Sequence, residues 1–182
     1  MTHPNAFPAK TTDVMQTLMR VALGEEPADL AVLNADLVNV YTGEVQKNMG
    51  VAVKGPWIAR VAAEVGDTVG PATRVLDAAG QTLVPGLIDG HTHLAWIGTA
   101  AAFIPYAAVA CVTTVVTETL EPFPVAGAEG VIDLLDSFQG QPIRILATAP
   151  VMVSISAAAR GLSGADIERL LGLAGDRLRV IY

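Results

Sequence analysis

Two of the chain's three histidines, His91 and His93, stand one residue apart in the stretch "VPGLIDGHTHL", Val84 to Leu94. Side chains at i and i+2 of a strand share one face, so both imidazoles project together from the end of an apolar run. Imidazole nitrogen is a good ligand for Zn²⁺, Fe²⁺ or Mn²⁺, and an ion held this way lowers the pKa of a bound water toward about 7. The competing reading of an isolated His-x-His is a polar strand end satisfied by water or backbone. Pro85-Gly86 before the strand, Asp89 beside the pair and an α/β pattern after it favour the metal. Asp89 either orients a ligand histidine from behind or caps the loop. Glu118, at the end of the next apolar segment, is a candidate metal ligand or supporting carboxylate, with plain solvation as its alternative. Glu121 is a weaker candidate than Glu118.

These residues need elements to hold them. Residues 1–10 read as a tail. Val14, Leu18, Val21 and Ala22 recur at helical spacing and predict a helix over Thr12–Leu23, with Asp13 in its first turn. From Leu30 to Leu83 the texture is that of strands, punctuated by turns at Lys54–Trp57 and Asp77–Gln81. Strands are then predicted at Leu83–Asp89, Val112–Thr117, Ile143–Ala149 and Leu178–Tyr182. Helices are predicted between them at Ile97–Ala110, Val125–Phe138 and Ser163–Leu173, the last capped by Ser163 and followed by Gly175. Such alternation means βαβ units and a parallel sheet. A closed (β/α)8 barrel needs eight strands and about 250 residues. The expected fold is therefore α/β, with the first half of a TIM-type (β/α)8 barrel after a small β-rich unit. Its divisions are 1–29 for tail and helix, 30–82 for the β unit and 83–182 for the partial barrel.

Composition narrows the classes. The 182 residues are 52% hydrophobic and 16% charged, which excludes a disordered chain. A net charge of −7 without a Lys or Arg cluster excludes a nucleic-acid footprint. The single Cys111 excludes an internal disulfide and fits a reducing compartment. It is expected as a small core residue. No basic flank and apolar stretch opens the chain, so a cytoplasmic location is expected. Leu94–Val116 carries no charge and is long enough to span a bilayer. Pro105, Gly98 and the absence of basic anchors instead predict a buried helix and its buried strand, with no membrane partner.

A resemblance sharpens the reading. "LVPGLIDGHTHL" is similar to the first barrel strand of the amidohydrolase superfamily, an apolar strand with Pro-Gly and then Asp-x-His-x-His. "RVLDAAGQTLVPG" resembles the close of that superfamily's N-terminal β-sandwich portion. "ALGEEPADLAVLNADLVNVYTGEV", Ala22 to Val45, resembles the start of bacterial adenine deaminases. "TTVVTE" and "PIRILATAPVMVS" fall at that family's second and third barrel strands, so the resemblance covers residues 12–182. It implies His91 and His93 as metal ligands, a divalent Mn, Fe or Zn ion, and hydrolysis of adenine to hypoxanthine and ammonia. The substrate is then a small molecule, a purine base or cyclic amide. The family's bridging carboxylate, later histidines and general base would fall beyond Tyr182, so the metal site is expected to be incomplete and the isolated chain inactive. Two departures stand out. Leu94, Ala95 and Trp96 replace a Glu-containing segment, and Glu118-Thr119-Leu120-Glu121 stands where adenine deaminases have Asp-Pro-His-Glu. These leave open a cyclic amidase or an N-acyl deacetylase of the same superfamily. Outside catalysis, the alternative is a truncated pseudoenzyme or metal-binding interaction module, whose exposed sheet edge favours a homo-oligomer.

Overall fold

A computed structural model describes residues 10–149, 162–174 and 178–181. The tail at 1–9, the cap at Gly175, the end of "PIRILATAPVMVS" and Tyr182 lie outside the described residues. The chain divides into two compact units, one ending at Pro85 and the other beginning at Gly86.

The first unit opens with helix α1 (Thr12–Ala22), one residue shorter than its periodicity predicts. Thr11 caps it by accepting the Val14 N–H, Asp13 sits in the first turn and Arg20 in the last, which complements the helix dipole. Its apolar face buries Leu18 and Val21. Strands β1 (Leu30–Asn39), β2 (Glu44–Lys54) and β3 (Trp57–Ala62) pair antiparallel in succession. The β2–β3 turn places Gly55 at φ +54°, a conformation glycine adopts without a Cβ penalty. Strand β4 (Arg74–Asp77) and the short β5 (Thr82–Leu83) both run parallel to β1. Val21, Ala28, Ala52 and Val65 form the unit's core.

Among its described residues the second unit holds a four-stranded parallel sheet whose strands lie in chain order. They are β6 (Leu87–Thr92), β7 (Val112–Thr117), β8 (Arg144–Ala149) and β9 (Leu178–Ile181). Between them run α2 (Leu94–Ile97), α3 (Ala100–Val109), α4 (Pro122–Ser137) and α5 (Gly164–Ala174). Ser163 Oγ accepts the Asp166 N–H while Asp166 accepts the Ser163 N–H, a reciprocal box that starts α5. Alternate residues Ile145, Ala147 and Ala149 of β8 are buried with Val115, Ile104, Val131 and Leu135. Each large side chain so buried contributes about 1.5–3 kcal/mol.

Three features differ from the sequence-based expectation. The strand predicted over Leu83–Asp89 is two strands, because Pro85 has no N–H to give a ladder. Thr82–Leu83 joins β1, and the chain resumes as β6, which extends through His91 to Thr92. Cys111 is exposed rather than packed in the core. It occupies a left-handed turn at φ +61° after α3, with its carbonyl accepting the Leu87 N–H. The uncharged stretch from Leu94 to Val116 is distributed over α2, α3 and most of β7, and α3 is not the buried helix expected: it buries Ala100, Ile104 and Ala107 while Tyr106 and Val109 are exposed. No helix among the described residues is long and apolar enough to cross a membrane.

Candidate functional site

Parallel pairing of β6 and β7 sets Thr92 opposite Thr117 at the C-terminal ends of the strands. Two hydrogen bonds extend that pairing past the ladder. The Glu118 N–H donates to Thr92 O at 2.8 Å, and the Leu94 N–H donates to Thr117 Oγ1 at 3.0 Å. Both neighbours of His93 are therefore tied to β7, and His93 itself leaves the strand at φ −119°, ψ 77°. Leu94, buried to 1% exposure, anchors the turn into the core.

This fixed backbone carries a compact polar cluster. The His91 and His93 rings lie 5.3 Å apart between centroids, with their planes at 73°. His93 stacks on Trp96 at 4.7 Å and 15°. Nδ1 of His93 lies 2.6 Å from Oε1 of Glu121. The Glu121 side chain is 13% exposed, and its other oxygen, Oε2, is buried with no hydrogen-bond partner among the described residues. Asp89 Oδ1 accepts the backbone N–H of His91 at 3.1 Å. Glu118 is half-buried beside Thr92, joined to it through its backbone.

The residues assemble unequally. His91 and His93 share one place, and Asp89 braces the backbone N–H of His91. The contact on the imidazole comes from Glu121 rather than Glu118, and sequence reasoning ranked the two in the opposite order. One signal was present, since Glu121 keeps the fourth position of the Asp-Pro-His-Glu tetrad. Glu121 is the residue just before α4, with Pro122 starting the helix, so its backbone is set by the helix entry.

Two nitrogen donors beside a buried carboxylate suit a first-row divalent ion better than Mg²⁺ or Ca²⁺, which prefer oxygen. The buried Oε2 is a polar atom for which the described residues supply no hydrogen-bond partner. Among the described residues no group of three or more His, Cys, Asp or Glu converges as a complete ligand set. The cluster fits part of a coordination sphere, since catalytic zinc sites usually take three protein ligands.

No protein-family model matches the chain. Among curated proteins it is 35% identical over 165 residues to "Adenine deaminase 3" of Rhizobium meliloti, covering 88% of this chain and 28% of that protein. It is 41% identical over 138 residues to "Adenine deaminase" of Paracoccus denitrificans, covering 73% of this chain and 22% of that protein. Among solved structures, an adenine deaminase matches with a TM-score of 0.56 at 20% identity, over 85% of this chain and 40% of that one. A zinc-bound N-acyl-D-glutamate deacylase from Bordetella bronchiseptica matches with a TM-score of 0.55 at 19% identity, over 81% of this chain and 35% of that one. The chain thus spans about a quarter of the length of the curated relatives it matches. Over most of its own length it is similar to a segment of the adenine deaminases, and its fold is similar to that of the corresponding part of a solved adenine deaminase and of the N-acyl-D-glutamate deacylase.

Proposed function

We propose that the chain supplies the first metal-binding segment of an adenine deaminase, the hydrolase that converts adenine and water to hypoxanthine and ammonia. The observation that carries this reading is the approach of His91 and His93, 5.3 Å between ring centroids, at the C-terminal end of β6. Active sites of parallel α/β folds sit at that end of their strands. The second unit is read as the first half of a (β/α)8 barrel and the first as part of a β-sandwich, with boundaries at 30–82 and 83–182. His91 and His93 would hold a divalent Mn, Fe or Zn ion through ring nitrogens, and Asp89 fixes the backbone N–H of His91. When bound, the ion supplies a hydroxide-like nucleophile near neutral pH. In the overall reaction a C6–O bond forms, the C6–N bond breaks, and the amino group leaves as ammonia. The remaining ligands and the general base are not among the described residues, so the chain alone is expected to release no ammonia from adenine. The exposed Cys111 is compatible with a reducing, cytoplasmic setting.

The test uses the intact enzyme isolated from its native source, in which on this reading the segment stands with the remaining ligands, loaded with Mn²⁺ or Zn²⁺. Three products are measured: ammonia from adenine, the ring-opened N-carbamoyl amino acid from a hydantoin, and the free amino acid from an N-acyl amino acid. Turnover of adenine alone, abolished by His91→Ala, supports the reading. Turnover of either amide with adenine untouched would replace it.

A further inference from the structure

We propose that Glu121 is the positioning residue of the histidine pair, holding His93 in the Nδ1–H tautomer so that Nε2 is its metal-binding atom. The inference rests on reading His91 and His93 as ligands, and it concerns a residue that no comparison assigns.

The argument begins with hydrogen-bond chemistry. A carboxylate oxygen accepts, so the 2.6 Å contact between Glu121 Oε1 and His93 Nδ1 is read with the proton on Nδ1. A neutral imidazole protonated at Nδ1 keeps its lone pair on Nε2, at the far side of the ring. A carboxylate accepting from a ligand histidine fixes the ring's tautomer and orientation and raises its basicity toward the metal.

The surroundings make the contact durable. His93 is pinned on both sides, through Thr92 to Glu118 and through Leu94 to Thr117. Trp96 lies flat against the ring and opposes rotation about the side-chain bond. Glu121 enters from the start of α4 and is mostly buried. Burying a carboxylate with one oxygen unpaired is costly. Positive charge on the far side of His93 offsets that cost by strengthening the Nδ1–H donor.

The experiment is long-range ¹H–¹⁵N NMR of the histidine rings in metal-free protein, with Co²⁺ titration alongside. Wild type is expected to show His93 in the Nδ1–H form. In Glu121→Ala that preference is lost, and Co²⁺ affinity falls about 10–100-fold. Glu121→Gln, whose side-chain oxygen still accepts from Nδ1–H, recovers both readouts to a large degree, while His91 is unchanged throughout. A Glu121→Ala protein with the wild-type His93 tautomer and unchanged Co²⁺ affinity would overturn the proposal. If Glu121→Ala does not fold, an Nε2–H signal for His93 in wild type overturns it equally. Failure of the metal reading is separable, because Co²⁺ binding that survives the paired His91→Ala and His93→Ala substitutions leaves the metal-free tautomer measurement to decide the role of Glu121.

Discussion

Thr117 Oγ1 receives the backbone N–H of Leu94 at 3.0 Å in a buried contact, while its own hydroxyl donates to Glu118 O at 3.0 Å. One side chain thus couples the end of β7 to the turn that carries His93. Thr117→Val keeps the shape and removes both bonds, leaving a buried N–H unpaired. The expected cost is about 1–3 kcal/mol, read from the shift in urea midpoint. Weaker Co²⁺ binding should accompany it, and an unchanged midpoint would show that water reaches Leu94.

Trp96 offers an optical reporter. With Trp57→Phe removing the chain's other indole, emission comes from the residue stacked 4.7 Å from His93. Cu²⁺ is expected to quench that emission in the single variant and to lose its effect when His93→Ala is added. Equal quenching in both would place the ion elsewhere.

The start of β6 passes close beside β7. A Cβ on Gly86 would lie 2.2 Å from Cγ2 and 2.4 Å from Oγ1 of Thr113. Gly86→Ala is expected to destabilise the second unit by about 1–3 kcal/mol, as overpacking does. Adding Thr113→Ala should return part of the loss, a coupling that a double-mutant cycle measures. Additive losses would show that the strain is relieved through the backbone.

Asp29 gives the first unit a pH dependence. The Gly55 N–H, at 2.8 Å, and then Lys54 Nζ, at 2.9 Å, hold its carboxyl below the usual carboxylate range. Because the folded value is lowered, the stabilisation is present above the unfolded value of about 3.9 and is lost as pH falls through the folded value. The side chain is 55% exposed, so solvent screening limits the effect of Asp29→Asn at neutral pH to less than about 1 kcal/mol. The difference between the two proteins should close as acid melts are taken below pH ~4. A gap that persists there would assign the effect to packing.

Legibility from sequence followed how local each cause was. Strand β7 was predicted with the bounds it has, because "VTTVVT" is an unbroken β-branched run, and α1 was written in its apolar spacing and the Asp13 of its first turn. The His91–His93 proximity followed from strand periodicity, although His93 lies one residue beyond β6. Exposure of Cys111 was not legible, since the left-handed turn after α3 is set by how α3 meets β7. The His93–Glu121 contact joins residues 28 apart in sequence. It exists only because β6 and β7 are parallel neighbours and α4 starts just past Glu121, and no local pattern encodes both conditions.

The most direct test of the metal assignment is X-ray absorption at the Zn edge on Zn²⁺-loaded protein, wild type against the paired His91→Ala and His93→Ala variant. Two imidazole nitrogens at about 2.0–2.1 Å, with their outer-shell ring scattering, are expected in wild type and absent from the variant. A shell of oxygen alone, or a spectrum the substitutions leave unchanged, would contradict the assignment of His91 and His93 as ligands.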